Sequence, residues 1–468
     1  MGEILFQYNR VSPTTWSYLS SLLTLALFFK FSRFWAIRNL DLVLLMLLAP
    51  GLLCVKYGVD NPSVDGGATI EVIGYIWLFS VNALLVTRML LDSSMVRRPL
   101  LEPNLTADAL TFLAVSLLVF LTANVITGIP QHVTALEPPS SASASADSSA
   151  DPPTDSLQAK APPKASDFAP LWRLPLITTQ AITTQAITSQ ALSSQVLNSQ
   201  PERSTDTTEN TDRSNGYVVA ARVLVIVAQL MIVLGMLMVG WRHFESIRMG
   251  VAAATLYLLL PYTAMWTGAL PHALPGALIV WAIVFYRRPV VAGALLGFVV
   301  VGTIHFPIYL LPLWTSFYWR RGLKRFITGV TLSTTAIIVA LVFVSPDSSV
   351  FGARVLAMLG VQAPLLEGLT GVWGYWYGYY RYPLIAIFAF LSVSLVLWPA
   401  QKNLATLISC SAALMLGTQY WHAHSGGVSL AWCLPMLLLT IFRPNLEDRI
   451  AVEVVWSGRS GRSKPATN

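Results

Sequence analysis

Long apolar runs separated by short polar turns dominate the chain. Lipid offers no partner to an unpaired amide or carbonyl, so a run of about 20 apolar residues is read as a membrane-crossing helix, which pairs its backbone internally. Eleven such runs are legible: Trp16–Phe29, Leu40–Val55, Val72–Leu91, Ala109–Ile126, Tyr217–Gly240, Val251–Trp266, Leu274–Tyr286, Ile327–Val344, Pro383–Trp398, Ala405–Thr418 and Val428–Phe442. The uncharged stretch Val290–Trp319 predicts either one long tilted helix or two short ones broken at His305-Phe306-Pro307.

Charge separates the two possibilities. With a hairpin there are thirteen segments, and one side of the membrane receives twenty cations, among them Lys30, Arg38, Arg88, Arg248, Arg287, Arg288, Arg320, Arg321, Lys402 and Arg443. The short segments of the other side keep only Arg10, Lys56, Arg354 and Arg381. Drawn as a single span, the division falls to about twelve against eleven. Short cytoplasmic loops carry the excess of Lys and Arg, so the hairpin is expected, with the N-terminus outside and the C-terminus in the cytoplasm of a plasma (inner) membrane. The first run begins at Trp16 without a small-x-small cleavage pattern behind it and reads as a retained helix.

Composition supports this picture. Hydrophobic residues make up 54% of the chain and charged ones 11%, and that charge deficit excludes a water-soluble globule. The net charge of +7 is accounted for by sidedness, and nucleic-acid binding has no other support. Cys54, Cys410 and Cys433 all fall in apolar runs, so neither a disulfide framework nor a thiolate metal site is expected.

Between Pro130 and Gly216 the composition turns to Ser, Thr, Pro, Ala and Gln, and a five-residue repeat runs from Thr178 to Leu197. A period of five fits neither a helix nor a strand, and so polar a segment buries too little surface to order itself. The expected organisation is therefore a four-helix unit (1–128), a disordered extracytoplasmic linker (129–216), a multi-helix unit (217–442) and a cytoplasmic tail (443–468).

Ionisable residues are nearly absent from the apolar runs, which disfavours a proton-coupled transporter. His272, His305, His422 and His424 all fall at outer helix ends, where imidazoles could bind a phosphate or a divalent cation, or move a proton, or simply sit hydrogen-bonded at the interface. The loop from Gly371 to Pro383 carries seven rings, Trp376 among them, plus Arg381. Such rings serve an interfacial belt or a sugar platform, with Arg381 the phosphate partner in the second case. Acid candidates on the outer side are Asp60, Asp65, Glu71, Asp347 and Glu367.

The order Leu260-Pro261-Tyr262, Pro271-His272, Arg287-Arg288-Pro289, the small-residue helix Val290–Gly297, His305-Phe306-Pro307 and Arg320-Arg321 resembles polytopic glycosyltransferases of the GT-C superfamily. In those, a basic turn, a small-residue helix, a Lys-or-His-x-Pro break and a second basic turn recur in sequence. The likeness covers residues 257–329, under a fifth of the chain. It implies transfer of a sugar from a polyprenyl-phosphate donor on the outer face, with an outer carboxylate as base or partner of a divalent cation. By position Asp60 or Asp65 is the nearest counterpart, although the family's early acidic pair is not recognisable here. Two other classes stay open: a transporter or flippase for an amphipathic lipid, which needs a cavity at mid-depth, and a non-catalytic scaffold, which needs none.

Overall fold

The computed structural model describes residues 11–61, 66–94, 101–127, 205–319, 321–344, 369–399, 402–423 and 426–444, with isolated positions between 348 and 359. Residues 129–204 of the expected linker, the tail from 445 onward, and Asp65, Asp347, Glu367 and His424 lie outside them. Among the described residues the protein is all-α, built on thirteen helices of seven residues or more. These are α1 Pro13–Phe28, α2 Ile37–Asp60, α3 Gly67–Leu90, α4 Ala107–Thr127, α5 Thr205–Arg242, α6 Ile247–Leu259, α7 Leu270–Val284, α8 Pro289–Gly302, α9 Leu311–Phe317, α10 Leu323–Val344, α11 Arg381–Leu397, α12 Leu404–Gly417 and α13 Leu434–Phe442. Six are long and apolar enough to cross a membrane: α2, α3, α4, α10, the Ala221–Arg242 part of α5, and α11 with the turn before it. This is a multi-pass integral membrane protein.

Local chemistry sets the helix ends. Pro13 opens α1 behind Ser12, whose hydroxyl accepts from Thr15 N at 3.1 Å, and the Asn403 side chain caps α12 from Thr406 N at 2.8 Å. Three expected spans change. Val251–Trp266 stops at Leu259, because Pro261 cannot donate and holds Leu260 at ψ 138°, outside the helical region. Val428–Phe442 shortens to α13 behind a 3-10 turn at Leu430–Trp432 and the left-handed Gly427. At the linker boundary α5 begins at Thr205 rather than Tyr217, so the last part of the expected disordered segment is helical. An apolar span, once formed, extends a helix at the cost of ordering one residue per added bond.

The short helices lie inside and the long ones outside. Every residue of α12 and α13 and everything from Met249 to the end of α6 is buried. A helix apolar all round must be enclosed. At 13 residues and about 20 Å, α6 is too short for the hydrocarbon layer, and protein rather than lipid surrounds it. The long helices bury half or less of their apolar windows and leave the rest to lipid. The main apolar core runs from Trp16 to Phe442 through both sides of the linker, with a small separate cluster of Val300, Val301, Ile337 and Leu341 between α8 and α10.

Val290–Trp319 doubles back. After α8 the chain turns at Thr303–His305, passes a 3-10 segment over Phe306–Leu310 and returns through α9, so that Tyr318 Oη donates to Tyr286 O at 2.6 Å. The two basic turns thus share one end of the molecule. Lys30, Arg38, Arg88, Arg248, Arg287, Arg288, Arg321, Lys402 and Arg443 also belong to that end, by the direction of their helices. Lys56 and Arg381 belong to the other. Exposed tryptophans mark the basic end (Trp35, Trp241, Trp319, Trp398), and exposed Tyr57, Tyr377, Tyr379 and Tyr380 mark the opposite one. Amphipathic rings favour the two membrane–water boundaries, and these two belts bracket the apolar slab.

Candidate cavity

At the end opposite the basic turns, the four N-terminal helices and the turn after α6 enclose a cavity of about 590 Å³. That volume is in the range of small-molecule sites. Ser12, Pro13 and Trp16 of the α1 end, Leu52, Val55, Lys56, Val59 and Asp60 of α2, Tyr75 of α3, and Phe120, Asn124 and Val125 of α4 line it, with Ala264–Gly268 and Val428 closing the remaining side. The α2–α3 pair is held tightly because glycines face backbone: a Cβ on Gly74 would stand 2.8 Å from Val55 N. That close approach fixes the last turns of α2, where a spacing of four places Lys56 and Asp60 on one face. Their ion pair measures 2.8 Å, with side chains 41% and 55% exposed. At that exposure it is worth about 0–1 kcal/mol, so either partner is readily given up to a ligand.

Trp266 joins this cavity to a second feature. Its ring stacks on His272 at 4.8 Å and 12°, and a hydrogen bond of 2.9 Å ties His272 Nδ1 to Tyr262 Oη. From there a contiguous ring cluster continues: His272 to Trp432 at 6.3 Å, Trp432 to His422 at 5.7 Å, His422 to Phe306 at 4.9 Å, and Phe306 to His305 at 4.1 Å. Arg381 is buried and its Nε donates to Trp421 O at 3.0 Å, which places the Trp421-His422 turn.

Searched against protein families, curated proteins and solved structures, the chain matches none.

The structure therefore brings three of the four histidines expected at outer helix ends, His272, His305 and His422, into one cluster, with Arg381 beside it. None of these four lines the cavity, whereas Asp60 does. Trp376 is exposed, and the neighbouring Tyr375 donates to Glu71 Oε2 at 2.9 Å, tying the aromatic loop to the start of α3. Partial burial, and after it the Glu71 carboxylate, raise the Tyr375 hydroxyl above the ordinary tyrosine value. Among the described residues no group of three or more His, Cys, Asp or Glu side chains is placed to hold a metal ion. All three cysteines are free, and Cys410 and Cys433 are buried. Trp16, Lys56, Asn124 and Trp266 escaped the sequence reading. Only the Pro261 break, which turns the chain at residues 264–268, pointed toward them.

Proposed function

We propose that the protein is a GT-C-like membrane glycosyltransferase, or a relative in envelope polysaccharide assembly, that takes a polyprenyl-phosphate-linked sugar in the outer cavity. The observation that carries this reading is the cavity itself: one carboxylate, Asp60, at its mouth above apolar and aromatic walls. In the transfer step an acceptor hydroxyl oxygen bonds to the anomeric carbon and its proton passes to the Asp60 carboxylate. The bond from that carbon to the donor phosphate breaks, its electron pair leaving on phosphate. A general base contributes about a hundredfold or more. Asp60→Asn is accordingly expected to lower sugar transfer by at least about a hundredfold in a purified-protein assay, and an unaltered rate would remove Asp60 from the mechanism. A cavity at one end of the helices, rather than at mid-depth, favours an enzyme working at one face over a flippase.

The basic end is assigned to the cytoplasm and the cavity to the outside of the plasma membrane. In a Cys54→Ser background, a membrane-impermeant maleimide should label Tyr377→Cys on intact cells and Ser94→Cys only after lysis. The reverse pattern would invert the orientation.

A further inference from the structure

Some cations at the basic end are spent inside the protein. Arg88 and Arg443 hold buried carboxylates, Arg248 donates to Pro103 O and Leu105 O at 3.0 Å each, and Lys402 donates to Val396 O at 2.9 Å and Pro399 O at 3.0 Å. Those of the two basic turns are not. Arg287, Arg288, Lys324 and Arg325 are exposed and Arg321 is partly so. Among the described residues none of these five pairs with a carboxylate, and Arg287 alone has a side-chain partner, the Tyr286 hydroxyl at 3.2 Å.

The fold sets the two turns side by side. Tyr318 Oη donates to Tyr286 O at 2.6 Å, and a Cβ on the left-handed Gly322 would stand 3.3 Å from Pro289 Cγ, so the Arg287-Arg288 turn abuts the turn from Arg321 to Arg325. Like charges gathered this closely repel, and an anion seated among them offsets the repulsion. The neighbouring surface is apolar: Val290 and Ile327, near the starts of α8 and α10, are 40% and 45% exposed, and Trp319 is 61% exposed. An exposed indole favours the membrane–water boundary, which puts the five cations at headgroup depth with lipid-facing side chains beside them. A soluble polyanion makes no use of that apolar rim, whereas the acyl chains of a lipid continue along it.

We propose that the two basic turns form a binding site for an anionic phospholipid whose head carries two phosphates. One phosphate sits at Arg287 and Arg288 and the other at Arg321, Lys324 and Arg325, with the acyl chains running past Val290 and Ile327. Guanidinium groups match phosphate oxygens with paired bonds, and basic segments at this depth attract anionic lipid. The site lies at the end opposite the cavity, and lipid binding there neither requires nor tests sugar transfer.

Full-length protein in neutral detergent is titrated with cardiolipin, phosphatidylglycerol and phosphatidylcholine, and bound lipid is counted by native mass spectrometry. Wild type should bind cardiolipin at least about fivefold tighter than phosphatidylglycerol, and phosphatidylcholine without saturation. Arg288→Gln and Arg325→Gln, one in each turn, should each weaken cardiolipin binding about fivefold. Arg288→Lys keeps the charge and should recover part of the loss. Lys324→Gln should weaken binding too, which keeps the test valid if an arginine variant folds poorly. Lys30→Gln removes a charge from the same end but outside both turns, and should change the affinity by less than about twofold. Equal binding of cardiolipin and phosphatidylcholine, or a loss in Lys30→Gln as large as in Arg288→Gln, would overturn the proposal. Phosphatidylglycerol bound as tightly as cardiolipin would refute the two-phosphate head, and a single-stranded oligonucleotide bound more tightly than either lipid would assign the turns to nucleic acid instead.

Discussion

Arg88→Ala is expected to destabilise the fold by about 3–5 kcal/mol, seen as a large fall in melting temperature or in resistance to SDS unfolding. Arg88 sits in the last turn of α3 and grips Asp41 of α2 with two parallel bonds, Nε–Oδ1 at 2.8 Å and Nη2–Oδ2 at 2.9 Å. Its Nη1 holds Asp92 Oδ1 at 2.8 Å, and Arg443, just after α13, holds the other oxygen of Asp92. Arg38 Nη2 in turn donates to Arg443 O at 3.3 Å. Asp41 and Asp92 are 1% and 0% exposed and Arg88 10%, so removing the arginine takes the forked bond from Asp41 and one of two cations from Asp92 where water cannot solvate either carboxylate. Arg88→Lys keeps the charge but not the fork, and should fall between the wild type and Ala. A melting temperature unchanged in Arg88→Ala would mean that the cluster holds nothing together.

The second large effect concerns the α8–α10 contact. These two helices run side by side in the same direction because three glycines let their backbones meet. A Cβ on Gly293 would lie 2.2 Å from Phe326 O, one on Gly297 2.3 Å from Ser333 Oγ, and one on Gly329 2.1 Å from Val290 O. Gly293 and Gly297 are four apart, the spacing that lines one face of a membrane helix with small residues for close packing. Backbone carbonyls cannot step aside as a flexible side chain does. Gly293→Val or Gly329→Val is therefore expected to cost about 3 kcal/mol or more and to lower the yield of folded protein. Gly352, whose Cβ would meet nothing within 4 Å, supplies the control: Gly352→Ala should be neutral. Equal behaviour of Gly293→Val and Gly352→Ala would show that the contact is loose.

How much was legible depended on the kind of signal. The doubling back of Val290–Trp319 was readable because a one-rod path would spread the cations almost evenly over the two sides, whereas the hairpin gathers them, with both basic turns, on one. The end of α6 was misjudged since hydropathy does not register a proline inside an apolar run, although Pro261 decides the backbone there. Asp60 was readable as an acid at the end opposite the basic turns, but its pairing with Lys56 and its place on a cavity rim were not. The cluster of His272, His305 and His422 could be framed as a question only, because three separate turns must meet to build it.

Hydropathy, proline placement and charge asymmetry are local or summed properties, so the amino-acid order alone determined an all-helical membrane protein, most of its segments and the shared end of its basic turns. Which helices are sheltered and which face lipid, how Trp16 comes to share a wall with Trp266, and how Arg443 reaches Asp92 were decided only by tertiary packing. Each of those contacts joins residues far apart in the chain, and nothing in either neighbourhood records the partner.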